Sequence, residues 1–148
     1  MNELVEIWKP IIGYEGIYEC SNFGKVKSLS NCKQRKEKVL KPFVTKGYLQ
    51  IELNKNGKRK KYYLHRLVAI HFLENPYNLP EVNHKDECKT NNMVWVNEDG
   101  SIDYNKSNLE WCSREYNNRY GNRLKKASIR MKDMWAYYKN KTLLYGNP

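Results

Sequence analysis

The order of segments between residues 81 and 120 limits the fold of this chain more than any other feature of its sequence. Glu81–His84 has the pattern of a short strand and runs into a long polar loop. Asn108–Cys112 predicts a second strand, and the segment after it predicts a helix. A strand, a polar loop, a strand and a helix in this order form a ββα finger. We expect such a finger to bring His84 and Asn117 face to face across a small cleft.

His84 and two asparagines offer the groups that phosphodiester hydrolysis requires. The reaction needs a base that deprotonates water and a cation that neutralises charge on the phosphate. A neutral imidazole suits the first task near pH 7. Asn83 and Asn117 can supply carbonyl oxygens to a hard divalent cation such as Mg²⁺. The sequence therefore predicts a hydrolytic site with one histidine and one metal ion.

The charge balance favours a polyanionic partner. The chain has 27 Lys and Arg against 16 Asp and Glu, a formal net charge of +11, which suits nucleic acid or an anionic membrane surface. It has no apolar run of about 18 residues, as a membrane-spanning helix needs, and its first residues do not resemble a secretory signal. We therefore expect a cytoplasmic protein that binds nucleic acid. Membrane association through a basic helix is the weaker alternative, because no lipidation signal supports it.

The four cysteines do not follow the spacing of a zinc knuckle. Cys20, Cys32, Cys88 and Cys112 include no Cys-x-x-Cys pair. Without a secretory signal, a disulfide framework is also not expected. Free thiols in a reducing compartment are the favoured interpretation, and a zinc site assembled from distant cysteines stays open as the alternative.

The first half of the chain predicts strands followed by one helix. Residues 6–54 contain short strand-like segments broken by glycines, of which Tyr48–Leu53 alternates apolar and polar residues. The basic run Lys33–Lys41 has no helical cap and is predicted to be a loop. The apolar positions of Leu64–Leu73 fit one helix face, and Asn75-Pro76 ends that helix.

The second half predicts an inserted hairpin and a basic C-terminal helix. Met93–Val96 and Ser101–Tyr104 flank a strong turn, which predicts a hairpin within the finger. After Gly121 the pattern is helical and strongly basic. One interpretation is a solvated amphipathic helix that packs on the core, and the other is a basic helix that lies along DNA phosphates. The two are compatible, because one face can pack while the other binds DNA.

These segments together predict an α+β chain with a small antiparallel N-terminal sheet, a helix, a ββα-metal finger with an inserted hairpin, and a C-terminal basic helix. The length of 148 residues suits one ordinary domain or two small ones that share a core. We predict an N-terminal β module over residues 1–58, a catalytic domain over residues 59–122, and a basic amphipathic helix with a tail over residues 123–148.

Several segments resemble the HNH nucleases that phages and their introns encode. They are Val82–Asn92, Asn108–Trp111 and Asn117, preceded by His65–Phe72 and Asn75-Pro76. The N-terminal residues resemble the nuclease-associated modular DNA-binding motif that often precedes such enzymes, at Trp8–Tyr18, Ser21-Asn22 and Gly24–Ser28. Two modules in the expected order make the resemblance specific, and together they cover roughly residues 6–120. It implies an endonuclease of homing type and a phage or mobile-element origin.

The resemblance implies a role for each matched residue. His84 matches the general base that activates water, and Asn108 matches the central asparagine that pins the polar loop by hydrogen bonds to its backbone. These two are the predicted catalytic residues. Asn83 and Asn117 match the ligands of one Mg²⁺ or Mn²⁺ ion. Contacts with double-stranded DNA are predicted for a set of basic and helix-start residues, namely His65, Arg66, Arg114, Arg119, Arg123, Lys125 and Lys126.

The implied reaction hydrolyses a DNA phosphodiester and leaves a 5′-phosphate and a 3′-hydroxyl. A monomer or weak dimer with one site per chain would nick one strand. Three departures from the family pattern stand out: Asn83 replaces a common Asp, which weakens the attraction for a divalent ion, Glu87 replaces a common Gly, and residues 93–107 are inserted. The Asn83 departure leaves open a DNA-binding protein without catalysis, a regulator or a decayed nuclease. An RNA-directed nuclease is a third alternative.

Overall fold

The computed structural model describes residues 4–30 and 36–121, and the chain divides into two compact units, residues 1–113 and residues 114–148. The described elements of the first unit are β1 (Trp8–Pro10), β2 (Tyr18–Ser21), β3 (Val26–Ser28), β4 (Lys38–Val39), β5 (Phe43–Thr45), β6 (Tyr48–Lys55), β7 (Lys58–Tyr63), α1 (Leu64–Phe72), β8 (Glu81–His84), β9 (Trp95–Val96), β10 (Ile102–Asp103) and β11 (Leu109–Cys112). The described helix of the second unit is α2 (Arg114–Arg119).

The strands of the first unit form small antiparallel sheets. Strands β1 to β4 pair in chain order, and β5, β6 and β7 form a second sheet in chain order. β8 pairs with β11 across the long intervening segment, and β9 pairs with β10 within it. In the β8–β11 ladder His84 lies opposite Leu109, and Asn83 lies opposite Glu110. The mixed α+β class with small antiparallel sheets is thus confirmed.

Helix α1 lies at the centre of the first unit. It contacts β2, β6, β7, β8 and β11, which belong to three different sheets. Its apolar face, formed by Leu64, Leu67, Val68 and Phe72, is buried, because removal of this surface from water is the main favourable term in folding. The same core includes Ile11 from the N-terminal segment. One helix therefore joins the N-terminal strands to the strands that carry the candidate site.

Most of the predicted elements of the first unit agree with the structure, with shifts of a few residues at their ends. The predicted loop at Lys33–Lys41 is wrong in part, because Lys38–Val39 forms β4 and pairs with β3. Both residues of β4 are exposed, so no apolar alternation marks it in the sequence, and only its partner strand defines it. β1 and β5 lie in the region predicted to hold short strands but were not individually identified, because most of their residues are exposed and show no apolar alternation.

The predicted boundary at residue 58 falls at the first residue of β7, inside the β6–β7 hairpin. Since both strands of that hairpin contact α1, the first unit continues across the position. The three-part division stays a prediction, and the predicted C-terminal helix lies outside the described residues. Over the described ranges no helix has the length and apolar character needed to cross a membrane.

Candidate active site

His84 is the last residue of β8 and lies buried at the point where the polar loop begins. Its Nε2 atom lies 2.8 Å from the Oδ1 atom of Asn92, which follows the loop. The centroid of its ring lies 5.1 Å from that of His65, at the start of α1. The strand and the helix thus bring together two histidines that are 19 positions apart in the sequence.

Two tyrosine rings also contact the pair formed by His65 and His84. The ring of Tyr48 lies 5.1 Å from the ring of His65 and 6.0 Å from the ring of His84, and Tyr63 lies 5.4 Å from His65. Lys89 of the polar loop places its ammonium 4.5 Å from the centre of the Tyr48 ring, which is a cation–π contact. The sequence did not reveal Tyr48 as a neighbour of both histidines or Tyr63 as a neighbour of His65, because the tyrosines come from the β5–β7 sheet.

This environment keeps both imidazoles neutral. Burial lowers the pKa of His84 from its ordinary value of 6.5, and the hydrogen bond to Asn92 only partly opposes that effect. Burial, together with the proximity of His84 and of the Arg66 guanidinium, lowers the pKa of His65 to about 3. A histidine with a lowered pKa is neutral at pH 7, and the neutral ring, with a proton on one nitrogen and a lone pair on the other, is the form that can accept a proton from water.

Asn108 holds the polar loop from its position just before β11. Its side-chain amide donates to the Asp86 carboxylate at 3.0 Å and to the Asn91 carbonyl at 2.6 Å. Its side-chain oxygen accepts the backbone N–H of Asp86 at 3.0 Å. Its own backbone bonds Lys85 and Met93. One buried side chain thus makes hydrogen bonds near both ends of the loop, and the catalytic importance of Asn108 stays a prediction.

The Asp86 carboxylate joins several residues of the loop through hydrogen bonds. Its carboxylate accepts the side-chain amide of Asn91 at 2.7 Å and the backbone N–H of Cys88 at 2.8 Å, in addition to the bond from Asn108. Burial raises the pKa of this carboxyl, but these three donors outweigh it and hold the pKa below the ordinary value of 3.8. The carboxylate is therefore ionised wherever the loop is folded near neutral pH.

The depressed pKa of Asp86 predicts an acid-sensitive loop. A carboxyl whose pKa is lower in the folded state stabilises the fold above its unfolded pKa, and this contribution is lost as the pH falls through the folded pKa. We therefore expect wild type to be more stable than Asp86→Asn at neutral pH, and the difference in stability to narrow as the pH falls below the ordinary carboxyl pKa of 3.8 and through the lower folded-state pKa. Urea midpoints of both proteins across this pH range measure the gap. An unchanged gap at acidic pH would contradict the assignment.

Asn83 makes a different contact from its neighbour His84. Its side-chain nitrogen donates to Glu110 Oε1 at 2.8 Å, across the β8–β11 ladder. An aspartate at position 83 would face the Glu110 carboxylate directly, and like charges opposite each other destabilise a sheet. The amide therefore suits this ladder, and no hydrogen bond within residues 4–30 and 36–121 engages its carbonyl oxygen. Glu110 was not identified from the sequence, because only the register of the two strands shows that it faces Asn83.

The predicted DNA-contact residues lie in different parts of the chain. His65 is buried beside His84. Arg66 donates to the Pro80 carbonyl at 3.0 Å and lies 3.9 Å from the Glu81 carboxylate, so it also supports the start of β8. Arg114 and Arg119 are exposed on α2. The other three lie outside the described residues: Arg123, Lys125 and Lys126. Their contacts with DNA stay predictions.

Asn117 lies on α2, in the second compact unit, so its meeting with His84 also stays a prediction. In the described part of the chain, no group of three or more His, Cys, Asp and Glu side chains is arranged to hold a metal ion.

Cys20 and Cys112 are buried free thiols, and Cys88 is an exposed one. Burial raises the pKa of Cys20 to about 12, which keeps that thiol protonated and unreactive.

Comparison with known families and proteins finds one family motif in the N-terminal part of the chain and relatives that align with about three quarters of it. The model of the NUMOD4 motif matches residues 6–54. DNA endonuclease I-HmuI of Bacillus phage SP01 is 40% identical over 110 residues, which cover 74% of this chain and 54% of that protein. An uncharacterized HNH endonuclease of Acanthamoeba polyphaga mimivirus is 38% identical over 114 residues, 77% of this chain and 29% of that protein.

A solved structure matches as well. It is described as DNA binding and cleavage by the HNH homing endonuclease I-HmuI, and it superposes with a TM-score of 0.63 at 36% identity. The match covers 90% of this chain and 68% of the chain of that structure. The chain spans about half the length of the first curated relative and less than a third of the second.

Proposed function

The chain belongs to the HNH family of homing-type endonucleases, and on this basis we propose that it is a divalent-metal-dependent endonuclease that nicks double-stranded DNA. The observation that carries the proposal is His84: a buried imidazole at the end of β8, kept neutral by its surroundings, beside a loop that Asn108 pins. His84 takes a proton from the attacking water, and the products are a 5′-phosphate and a 3′-hydroxyl.

Among the described residues, Asn83 offers a side-chain oxygen that suits a hard cation. The nitrogen of the Asn83 amide is engaged by Glu110, which leaves the carbonyl oxygen, a ligand type that Mg²⁺ and Mn²⁺ accept. We infer that β8, β11 and α2 form the ββα finger and that Asn117 supplies a second amide oxygen. When bound, the cation neutralises charge on the phosphate and on the leaving oxygen. One such site per chain cuts one strand per event.

The exposed charge of β7 supports DNA as the partner. Its first four residues are Lys58, Arg59, Lys60 and Lys61, and all are exposed. Lys55 of the adjoining strand adds to the same hairpin. Successive side chains of a strand point to opposite faces, so both faces of this hairpin carry exposed cations that suit the phosphate backbone of a duplex. In this proposal the β6–β7 hairpin and the basic residues of α2 bind phosphates, and the region around His84 receives the bond that is cut.

A second candidate function is DNA binding without cleavage. Asn83 brings no negative charge to the cation, and half of its amide is committed to Glu110. A weaker cation site follows, because carboxylates bind Mg²⁺ more strongly than amides do. The two candidates differ in one measurable property, the dependence of strand cleavage on a divalent cation.

Incubation of the purified protein with supercoiled plasmid separates them. We expect conversion to the relaxed circle with Mg²⁺ or Mn²⁺ and none with EDTA. Gel-shift binding without relaxation under any cation supports the non-catalytic protein instead. A single-stranded RNA substrate in parallel tests the third alternative, and cleavage of RNA alone would overturn the assignment to DNA.

A further inference from the structure

Asn92 is a buried residue whose presence is not explained by stability. It is 3% exposed, and among the described residues its one side-chain hydrogen bond is the one between its oxygen and His84 Nε2. Its side-chain nitrogen is buried without a partner in the described part of the molecule. A buried unpaired amide group costs about 1–3 kcal/mol, so an apolar side chain would suit the position better. Costly residues of this kind concentrate at functional sites.

The bond from His84 to Asn92 determines which ring nitrogen carries the proton. An amide oxygen accepts and does not donate, so the bond requires a proton on Nε2 of the neutral imidazole. The lone pair then lies on Nδ1, the nitrogen that does not contact Asn92. Because proton acceptance from water needs a lone pair at a defined position, this selection of the tautomer is a positioning function.

A turn of the N-terminal sheet holds Asn92 in place. Gly24 packs so closely that a Cβ atom on it would lie 2.8 Å from the Cβ of Asn92. Asn22 of the same turn is fully buried and makes two hydrogen bonds with Val94: the Val94 N–H donates to the Asn22 carbonyl at 2.8 Å, and the Asn22 side-chain nitrogen donates to the Val94 carbonyl at 3.0 Å. The turn Ser21–Gly24 therefore contacts the chain at Asn92 and at Val94, the two neighbours of residue 93.

We propose that Asn92 is a positioning residue that holds His84 with its proton on Nε2 and its lone pair on Nδ1, and that the turn Ser21–Gly24 is the support on which Asn92 rests. In catalysis Nδ1 takes the proton of the water, and the ring becomes a cation with a proton on each nitrogen. The segment matched by the NUMOD4 motif then has a second task besides DNA binding, which is to orient the base. The catalytic consequence rests on the proposed endonuclease function, whereas the choice of tautomer does not.

The direct test is the tautomer of His84 in solution. Long-range ¹H–¹⁵N spectra of histidine-labelled protein at neutral pH distinguish a proton on Nε2 from one on Nδ1. We expect the Nε2–H form in wild type and in Asn92→Asp, which retains an acceptor oxygen. We expect a mixture of forms in Asn92→Leu, which has the same branching and no acceptor. A proton on Nδ1 in wild type, or an unchanged tautomer in Asn92→Leu, overturns the proposal.

Activity and stability should separate in the same variants. For Asn92→Leu we expect kcat for plasmid nicking to fall on the order of 10- to 100-fold with little change in KM, and unfolding at the same or a higher urea concentration. Asn92→Asp should recover part of the rate. A purely structural Asn92 would give the opposite result, a lower urea midpoint with unchanged kcat.

Gly24→Ala and Gly16→Ala form a matched pair that tests the supporting turn. Both glycines have a positive φ, +80° and +75°, so alanine strains the backbone similarly at each position. A Cβ at Gly24 meets Asn92, whereas a Cβ at Gly16 has nothing within 4 Å. We expect only Gly24→Ala to change the His84 tautomer and lower kcat. Equal effects of the two variants would contradict a specific role for the turn.

The tautomer and the nicking rate together distinguish the positioning role of Asn92 from the endonuclease function. A fixed Nε2–H tautomer that disappears in Asn92→Leu, in a protein that nicks no plasmid, supports the positioning role and refutes the endonuclease. Metal-dependent nicking that is equally fast in wild type and Asn92→Leu supports the endonuclease and refutes the positioning role.

Discussion

His84→Ala is expected to reduce metal-dependent nicking of supercoiled plasmid by about 10²- to 10⁴-fold, the range that a positioned general base contributes. His84 is the last residue of β8 and lies beside the polar loop that Asn108 holds. Burial lowers its pKa, so that its ring is neutral and has a free lone pair at neutral pH. Alanine removes the proton acceptor and leaves the DNA-binding surfaces intact. Rates of appearance of relaxed circles, with DNA affinity measured separately by gel shift, give the comparison.

His71→Ala is the matched control for this variant. His71 is a structural histidine: its Nε2 accepts the backbone N–H of Ile12 at 2.9 Å, and its Nδ1 lies 2.7 Å from the Leu67 carbonyl. Its loss should cost about 1–3 kcal/mol of stability and leave the rate per folded molecule unchanged. Nicking by His84→Ala at the wild-type rate would refute the general-base assignment, and equal losses in both variants would point to misfolding.

Asn108→Ala is expected to destabilise the protein by about 2–4 kcal/mol and to lower the nicking rate with it. Three side-chain hydrogen bonds are lost, one of them to the Asp86 carboxylate, and bonds to charged groups contribute most. The site is 6% exposed, so water replaces these bonds poorly. Because the loop connects His84 to Asn92, its release also frees the ring of His84. Urea unfolding measures the first effect and plasmid relaxation the second.

Asn105→Ala provides the comparison for this change. Asn105 is an exposed residue of the inserted hairpin, and the hydrogen bond described for it is made by its backbone N–H to Asp103. Removal of its side chain should leave stability within about 0.5 kcal/mol of wild type and leave nicking unchanged. If Asn108→Ala were as mild as Asn105→Ala, the pinning role derived from the hydrogen-bond network would be wrong.

The relation between the N-terminal strands and the site follows from the position of α1. The helix packs on strands from three sheets, and it presents His65 to His84 at its first turn. Tyr48 of β6 adds a ring to the same cluster. A change in the β5–β7 sheet is therefore transmitted to the candidate base through direct contacts. The N-terminal strands and the candidate site therefore share one core.

Much of the fold could be predicted from the sequence because it depends on local patterns. The alternation of Tyr48–Leu53, the apolar face of Leu64–Leu73 and the turn at Asn97–Gly100 each encode an element within a dozen residues. These became β6, α1 and the β9–β10 hairpin. Elements without a local signal were missed or misassigned, and β4 is the clearest case. Its two exposed residues form a strand only because β3 offers free backbone groups beside them.

The sequence by itself determined the chemistry that this chain can bring to a phosphate, namely one histidine within an Asn-His pair, a pinning asparagine and a strong excess of positive charge. Only the tertiary structure decided which groups surround that histidine. The contacts of His84 with Asn92, His65 and Tyr48, and the contact of Asn83 with Glu110, join residues from separate strands and turns. Strand register and packing set these contacts, and neither follows a period that a single sequence displays.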